Sequence, residues 1–277
     1  MAIYRRISLA SSRVTTKTYS TSFSLSIRAL SPELRDAIYA VYGFVRLADE
    51  IVDSFHDYDQ QTLFDRLQVD LNRALDERIS TNPILHAFQW AYHAYGIDRK
   101  HVDQFMRSMS WDLDRTAYDR EGYDAYIVGS AEVVGLMCLK VFVRGDQAEY
   151  DRLEPAAIRL GAAFQKVNFL RDLKEDYHAL GRTYFPGVEL DSFDDAAKKA
   201  IEDEIEADLE EAKKGIAELP REARFGVLLA YTYYRRLLDR IRKVPSAEVL
   251  HTRVRVPDSQ KALLMAKTWI RHRLNLI

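Results

Sequence analysis

The sequence contains very few of the residues that form disulfides, metal clusters and tight turns. Its 277 residues include one cysteine, Cys138, with 11 glycines and 7 prolines. A single cysteine closes no disulfide within the chain, and no paired Cys/His spacing is present. Zinc and iron–sulfur sites are therefore excluded, and we expect a reducing compartment. The scarcity of glycine and proline, together with the lack of alternating strand patterns, favours helices throughout.

An excess of charge of one sign and long apolar runs are also missing. The 40 Lys+Arg nearly balance the 42 Asp+Glu, giving a net charge of −2, so the overall charge of the protein does not favour nucleic-acid binding. No uncharged apolar stretch reaches the roughly 18 residues of a membrane span. The N-terminus lacks the apolar run of a signal peptide. We expect a cytoplasmic protein without a transmembrane segment, in which the apolar segment 133–143 is a buried core helix.

Helical periodicity and proline placement predict the organisation of the chain. A proline in the first helical turn loses no hydrogen bond, and five prolines stand at expected helix starts: Pro32, Pro83, Pro155, Pro220 and Pro257. The predicted helices occupy residues 31–55, 59–76, 83–95, 99–116, 122–143, 147–178, 192–217, 220–243 and 257–274. Repeats, low-complexity tracts and flexible linkers are absent from the sequence, which predicts a single all-α domain over 1–277.

Two helices near the C-terminal end have opposite charge. Segment 201–216 is densely acidic but places isoleucines and a leucine on one side, which is typical of a solvated outer helix. The last segment is basic and amphipathic, with Lys261, Lys267, Arg271, His272 and Arg273 among large apolar residues. It is interpreted either as a packed terminal helix or as a helix that docks on an anionic membrane surface.

The first polar constellation lies on an otherwise apolar helix. Asp49 and Asp53 are one turn apart, about 40° around the helix, and Tyr42 and Arg46 share a sector of about 60° with them. Two acids, a guanidinium and a phenol thus project from one face. The apolar remainder of the surface predicts that protein covers this helix on most sides.

A second constellation lies between 161 and 177. Gln165, Asn168, Asp172 and Asp176 project within an arc of about 80° over three turns. An isolated Asp-x-x-x-Asp pair on a helix is common and usually solvated. Two such pairs on apolar helices are different, because buried carboxylates without partners cost several kcal/mol and so require cations.

Mg²⁺ is the natural cation for such a site, with Mn²⁺ as an alternative. It binds oxygen ligands and is commonly held by one or two carboxylates together with substrate phosphates. Arg46 and Arg171 would form charge-assisted hydrogen bonds to the same diphosphate. The chemistry that uses this arrangement is ionisation of an allylic diphosphate inside an apolar cavity that shelters the carbocation from water.

Several segments also carry a family resemblance. They are Ser20-Thr21-Ser22-Phe23, the helix 35–53, YIVGSAEVVGLM at 126–137, QKVNFLRDLKED at 165–176, GRTYFP at 181–186, YRRLLDRI at 234–241 and HTRVRV at 251–256. Through them the chain resembles the squalene/phytoene synthases, the head-to-head class of isoprenoid synthases, from about residue 19 to residue 255. The second acidic motif is the most specific part, and the last two segments are most similar to bacterial phytoene synthases.

The resemblance implies an all-α isoprenoid synthase fold in which the two acidic helices face each other across a central cavity. It implies that Mg²⁺ is held by Asp49, Asp53, Asn168, Asp172 and Asp176. It also implies a diphosphate pocket formed by Ser20, Ser22, Tyr42, Arg46, Gln165, Asn168, Arg171, Tyr234 and Arg253. Tyr126 matches a tyrosine that acts after the first ionisation, although it would equally suit an ordinary core phenol.

The implied reaction joins two prenyl diphosphates through a cyclopropylcarbinyl diphosphate. Two geranylgeranyl diphosphates would give 15-cis-phytoene, and two farnesyl diphosphates dehydrosqualene or a squalene-type product. The sequence contains no Gly-rich dinucleotide loop, so proton loss without NADPH is favoured. A non-catalytic scaffold with the same fold and a head-to-tail or cyclising terpene synthase remain as alternatives. The sequence leaves the oligomeric state open.

Some positions depart from the family pattern or stay ambiguous. Val128 and Glu132 differ from many relatives, and we expect both in the cavity wall, where they would affect the product more than metal binding. Asp112 and Asp114 correspond to a family segment near the cavity, but Asp112 would equally suit a surface pair with Arg115.

Overall fold

The computed structural model describes residues 2–114, 117–180, 184–186 and 193–274, without the side chains of residues 175–180 and 258. In these ranges all regular elements are helices, so the all-α prediction is confirmed. They are α1 (Ala2–Tyr19), α2 (Thr21–Arg28), α3 (Pro32–Ser54), α4 (Gln60–Glu77), α5 (Pro83–Tyr95), α6 (Arg99–Asp114), α7 (Arg120–Ile127), a π-helical turn (Val128–Glu132), α8 (Val133–Phe142), α9 (Gln147–Leu180), α10 (Asp195–Glu218), α11 (Arg221–Ile241), α12 (Ser246–Val249) and α13 (Asp258–Arg273).

Helix starts follow the proline prediction at α3 and α5 but not in α9. Pro32 and Pro83 begin their helices. The side chain of Asn82 caps α5, and its Oδ1 accepts a hydrogen bond from the Ile84 N–H at 2.9 Å. The prediction is wrong for Pro155, which lies inside α9. An internal proline costs a helix about 3 kcal/mol. The packing of α9 along α8 and α10 opposes this cost.

Two helices precede the first predicted one. The buried side of α1 carries Ser8, Ser12 and Thr16 instead of large apolar residues. The hydroxyls of Ser8 and Thr16 donate to backbone carbonyls one turn earlier, both at 2.9 Å. This small face allows α1 to approach α3 closely, since a Cβ added at Gly43 would lie 2.8 Å from Ser12 Oγ. Hydrophobic periodicity misses such a helix because its buried face is not apolar.

The predicted helix 122–143 is divided by the π-helical turn between α7 and α8. A π turn inserts an extra residue into a helix and is frequent at functional sites. Gly129 in this turn presses against α6, where an added Cβ would lie 1.7 Å from Ser108 Oγ. A Cβ added at Gly161 of α9 would lie 2.7 Å from a carbonyl oxygen of the turn. The contacts of the π turn with two neighbouring helices therefore each require a glycine, Gly129 in the turn against α6 and Gly161 in α9 against the turn.

The acidic helix α10 packs its apolar side inward, as its periodicity predicts. Ile205 and Leu209 are fully buried. Asp208 is buried as well, and it accepts hydrogen bonds from Lys166 at 2.6 Å and Arg159 at 3.0 Å. These ion pairs compensate the buried charge and fix α10 against α9.

The helical stretch Arg120–Phe142 is the one described part of the chain that is long and apolar enough to cross a membrane by length and composition. Its most apolar window has a mean hydropathy of 1.6, and 61% of that window is buried inside the structure. Val133, Leu136 and Met137 all belong to the core. This placement is typical of a core helix, which is what the sequence predicted for the apolar segment 133–143.

The contact between α1 and α3 yields a stability prediction. Gly43→Ala should lower the free energy of unfolding by about 1–3 kcal/mol, because the added methyl group enters space occupied by Ser12. Ser12→Gly should relieve that clash, so the double variant should lose less stability than the sum of the two single variants. Urea unfolding of all three variants tests this, and strict additivity would contradict the steric explanation.

Candidate active site

A cavity of about 1030 Å³ lies between the helices. This volume is at the upper end of the range for small-molecule sites. Its wall comes from α1, α2, α3, α6, α7, α8, α9, α10 and α11, with the π turn and the segment that leads into α13. The predicted site residues with described side chains all line it: Ser20, Ser22, Tyr42, Arg46, Asp49, Asp53, Tyr126, Gln165, Asn168, Arg171, Asp172, Tyr234 and Arg253. The side chain of Asp176 lies outside the described part of α9.

The first acidic pair projects from α3 into this cavity. Arg46 donates from Nη1 to Asp49 Oδ2 at 2.8 Å and also bonds the carboxylate of Glu50. The guanidinium carbon of Arg46 lies 4.2 Å from the centre of the Tyr19 ring, which adds a cation–π contact. Arg46 is thus held by one aromatic ring and two carboxylates, beside the pair that the helix periodicity predicted.

The carboxylates of α3 carry more negative charge than Arg46 compensates. Burial raises the pKa of Asp49 to about 7, and the nearby charge of Asp53 is the next cause of the rise. Arg46 lowers the pKa, while the charges of Asp112 and Glu50 raise it further. A carboxylate that retains its proton to such a pH lies where an additional cation would be stabilised.

The second acidic motif faces the same cavity from α9. Asp172 accepts a hydrogen bond from Arg171 Nε at 2.8 Å, and a second bond from Arg171 completes a bidentate pair. Arg253, which lies beyond α12 in the chain, places its Nε 2.9 Å from Asp172 Oδ1. Two guanidinium groups of the cavity wall therefore pair with the carboxylate of Asp172.

Hydroxyl groups link each acidic helix to a neighbouring element of the cavity wall, α9 to α11 and α3 to the start of α2. The Tyr234 hydroxyl donates to Asn168 Oδ1 at 3.2 Å, and the Tyr234 ring stacks on Phe164 with a centroid distance of 3.9 Å. Burial raises the pKa of Tyr42 to about 12, and Ser20 forms a hydrogen bond to its hydroxyl. Ser20 also begins α2 as its N-cap, with Oγ accepting the Phe23 N–H at 3.2 Å. These contacts fix the polar end of the cavity.

Tyr126 donates a hydrogen bond to Asp112 Oδ2 at 2.6 Å, and Tyr118 contacts the other oxygen at 3.4 Å. Asp112 is 7% exposed, so it occupies the interior position near the cavity that the family pattern suggested, and not a surface pair. Its proposed alternative partner, Arg115, is outside the described residues. The spacing from Met109, a buried residue one turn earlier on α6, places Asp112 on the inner face. This spacing is visible in the sequence and indicates an interior position for Asp112.

The remainder of the cavity wall is apolar. It includes Phe105, Met109, Val134, Leu139, Phe142, Leu153, Ala156, Leu160, Phe164, Phe169, Ile216, Val227 and Leu237. The expectation for Val128 and Glu132 is wrong, because the residues of the π turn that line the cavity are Ser130 and Ala131. Glu132 is instead close enough to Lys166 for that charge to lower its pKa, although burial raises the pKa to about 7 overall.

The donors at the polar end suit Mg²⁺ in part. Among the described side chains, no three of the His, Cys, Asp and Glu groups converge as in a metal site built by protein alone. Mg²⁺ commonly takes one or two carboxylates and completes its shell with water and substrate phosphates. Asp49 with Asp53, and Asp172 on the facing wall, fit that kind of site, and the raised pKa of Asp49 indicates uncompensated negative charge there.

A family profile described as squalene/phytoene synthase matches residues 16–260. The chain belongs to the squalene/phytoene synthase family. The 15-cis-phytoene synthase of Synechocystis sp. is 29% identical in an alignment of length 296 that covers 94% of this chain and 83% of that protein. Phytoene synthase 1, chloroplastic, of Solanum lycopersicum is 28% identical in an alignment of length 246 that covers 80% of this chain and 58% of that protein. The chain thus spans little more than half of the tomato protein.

Solved structures show that this family member has the isoprenoid synthase fold. A crystal structure of a dehydrosqualene synthase in complex with ligand superposes with a TM-score of 0.84 at 22% identity, covering 97% of this chain and 98% of that chain. A squalene synthase from Alicyclobacillus acidocaldarius superposes with a TM-score of 0.75 at 23% identity, covering 87% and 95% of the two chains. The fold that the sequence resemblance implied is confirmed.

The raised pKa of Asp49 predicts a pH dependence in the metal-free protein. Between the unfolded pKa near 4 and the folded pKa of about 7, the folded state binds more protons than the unfolded state. Stability therefore falls as pH rises through this window and stays at the lower level above it.

Asp49→Asn removes the titrating charge, so it should be more stable than the wild type at pH 8, by on the order of 1 kcal/mol after solvent screening. This advantage should disappear below pH 4. Urea unfolding in the presence of a chelator measures both values. A variant that is less stable than the wild type at pH 8 would contradict the assignment.

Proposed function

We propose that this member of the squalene/phytoene synthase family is a Mg²⁺-dependent prenyltransferase that condenses two molecules of geranylgeranyl diphosphate head to head to 15-cis-phytoene. One observation carries the proposal. Acidic and cationic side chains from α3, α9 and the segment after α12 lie at one end of a cavity whose other walls are apolar. This distribution matches a substrate with a charged diphosphate head and a long hydrocarbon tail.

The cationic groups for the diphosphate are already in place. Arg46, Arg171 and Arg253 line the cavity, and each is paired with an aspartate of the two motifs. Guanidinium groups bind phosphate oxygens through two parallel N–H bonds. A diphosphate that enters with its cations would accept hydrogen bonds from these arginines, and the cations would bind the carboxylates that the arginines release. The site thus exchanges one set of ion pairs for another without leaving a buried charge unpaired.

The proposed metal residues are Asp49, Asp53, Asn168, Asp172 and Asp176, with Mn²⁺ as an alternative ion. When bound, Mg²⁺ supplies positive charge that stabilises the departing diphosphate. The protein itself positions the two acidic helices and surrounds the reacting carbons with aromatic and aliphatic walls. Phe164 and Tyr234 form a stacked pair beside the polar end. Their faces stabilise a nearby carbocation, and the apolar wall excludes the water that would quench it.

The proposed condensation proceeds through two ionisations. The first allylic cation is attacked by the double bond of the second substrate, and loss of a proton gives a cyclopropylcarbinyl diphosphate. Loss of the second diphosphate and of a second proton gives the conjugated triene, so no hydride donor is consumed. Tyr126, held by Asp112 beside the cavity, is the proposed participant in the later steps.

The cavity is long enough for the C20 substrate. Asp172 and Ala156 both line it, and about four and a half turns of α9 separate them, or about 24 Å. An extended C20 prenyl chain measures roughly 20 Å and a C15 chain roughly 15 Å, from carbon–carbon bonds near 1.5 Å. Two farnesyl diphosphates, giving dehydrosqualene or squalene, remain the second candidate because the superposed structures carry those names. A scaffold role is disfavoured, since an inactive chain has no use for partly buried aspartates that repel each other.

Product analysis tests the proposal. The protein is incubated with Mg²⁺ and either geranylgeranyl or farnesyl diphosphate, with and without NADPH, and the hydrocarbons and free diphosphate are measured. We expect a C40 triene from the C20 substrate that is independent of NADPH. A C30 product alone would replace the substrate assignment. A head-to-tail or cyclic product, or no diphosphate release, would overturn the proposed reaction.

A matched pair of variants tests the second acidic motif. Asp172→Asn should lower kcat at least about 100-fold, because it removes a charged group at the position where diphosphate departs. Asp203→Asn makes the same chemical change on the exposed side of α10, in an ion pair with Lys199, and should leave kcat within about twofold. Circular dichroism verifies that both variants are folded. Full turnover by folded Asp172→Asn would contradict its proposed role.

A further inference from the structure

In the part of the chain that the structure describes, most residues of the last helix, α13, are exposed. It packs mainly on α11, through Leu264, the buried Thr268 and His272, whose ring stacks on Phe225 at 5.4 Å. The opposite side exposes large apolar residues that normally lie in a core. Leu263 is 54% exposed, Trp269 49%, Ile270 50% and Leu274 62%. Ala262 and Ala266 lie between them, so these residues form one outer apolar stripe along the helix.

The charge beside this stripe has one sign. From Ser259 to Leu274 the chain carries four Lys and Arg residues and no acid, although the whole protein has a net charge of −2. Lys267 and Arg271 border the stripe along one edge. Arg273 lies over the Trp269 ring, at 5.5 Å from its centroid. A helix with apolar residues on its free face, lysines and arginines beside them and a tryptophan at the boundary is typical of binding at an anionic bilayer surface.

The exposed apolar stripe of α13 lies close to the cavity. Pro257 and Lys261, at the start of α13, line the cavity wall, and Lys261 Nζ donates to Thr21 Oγ1 at 2.8 Å. The helix that carries the apolar stripe therefore begins at the cavity itself. We propose that α13 is a docking surface for a bilayer with anionic headgroups, which holds the cavity close to the phase in which long-chain apolar molecules dissolve. The docking surface consists of Leu263, Ala266, Trp269, Ile270 and Leu274 with Lys267 and Arg271.

A second helix has a comparable but narrower stripe. On α1, Ile3, Ile7 and Val14 are 68%, 52% and 63% exposed. α1 packs against both α3 and α5, so less of its circumference is free than that of α13. It also carries no exposed tryptophan. α13 is therefore the favoured docking element, and α1 offers a control of matched chemistry.

Vesicle flotation with the full chain tests the proposal without depending on catalysis. The vesicles contain either phosphatidylcholine alone or phosphatidylcholine with roughly a third phosphatidylglycerol. We expect binding to the anionic vesicles that weakens with salt. Leu263→Ser with Ile270→Ser should reduce this binding at least about tenfold, because two apolar side chains no longer enter the interface. Lys267→Glu with Arg271→Glu should reduce binding by a similar factor.

Ile3→Ser with Ile7→Ser removes comparable exposed area on α1 and should leave vesicle binding unchanged. Diphosphate release in detergent is measured for every variant, so that a failure of docking is distinguished from a failure of the proposed reaction. Three results would overturn the docking proposal. The first is that the protein does not bind anionic vesicles. The second is that the α1 variant loses binding while the α13 variants retain it, and the third is that the wild type forms a stable dimer which is lost only in the α13 variants.

Discussion

Carboxylates held close together in a largely apolar chamber are the constraint on which this structure depends. Asp49, Asp53 and Asp112 lie near one another, and their mutual repulsion adds to the cost of desolvation. Among the described contacts, Arg46 pairs with Asp49 from the same helix. A ligand that brings cations, such as the one we propose, would lower the cost of holding these carboxylates together.

At the second acidic motif, Arg171 and Arg253 both pair with the carboxylate of Asp172. Among the described side chains, carboxylates therefore predominate on the α3 wall and guanidinium groups predominate around Asp172. The metal–diphosphate group that we propose would complement this arrangement, with its cations at the carboxylates and its phosphate oxygens at the guanidinium groups. The aromatic and apolar side chains of the cavity would then surround the hydrocarbon part of the proposed substrate.

The parts of this arrangement that repeat with a helical period were predictable from sequence. The acidic faces of α3 and α9, the helix starts at Pro32 and Pro83 and the inward side of α10 all follow from spacing. Helices α1 and α2 were not predicted, and in α1 the buried face consists of hydroxyl residues that no hydrophobic pattern marks. The π turn was missed because it depends on contacts with α6 and α9 from outside its own segment.

Contacts between residues far apart in the chain could not be predicted from the spacing of residues in the sequence. Arg253 reaches Asp172 only because the chain returns to the cavity after α12, and only the family resemblance suggested its role. The sequence offers Arg115 as a neighbour of Asp112, whereas the hydroxyl that bonds Asp112 belongs to Tyr126 on another helix. The family resemblance predicts Glu132 in the cavity wall, but the extra residue of the π turn changes the direction of the side chains there, and Ser130 and Ala131 line the cavity instead.

A crystal structure with Mn²⁺ and an unreactive thio analogue of geranylgeranyl diphosphate would show whether the two acidic helices bind metal and diphosphate, since manganese is located by its anomalous scattering. We expect manganese bound to the carboxylates of Asp49, Asp53 and Asp172. We expect the diphosphate between α3 and α9 and the prenyl chain extending toward Ala156. Metal ions bound elsewhere, or a diphosphate that contacts neither acidic helix, would contradict this expectation.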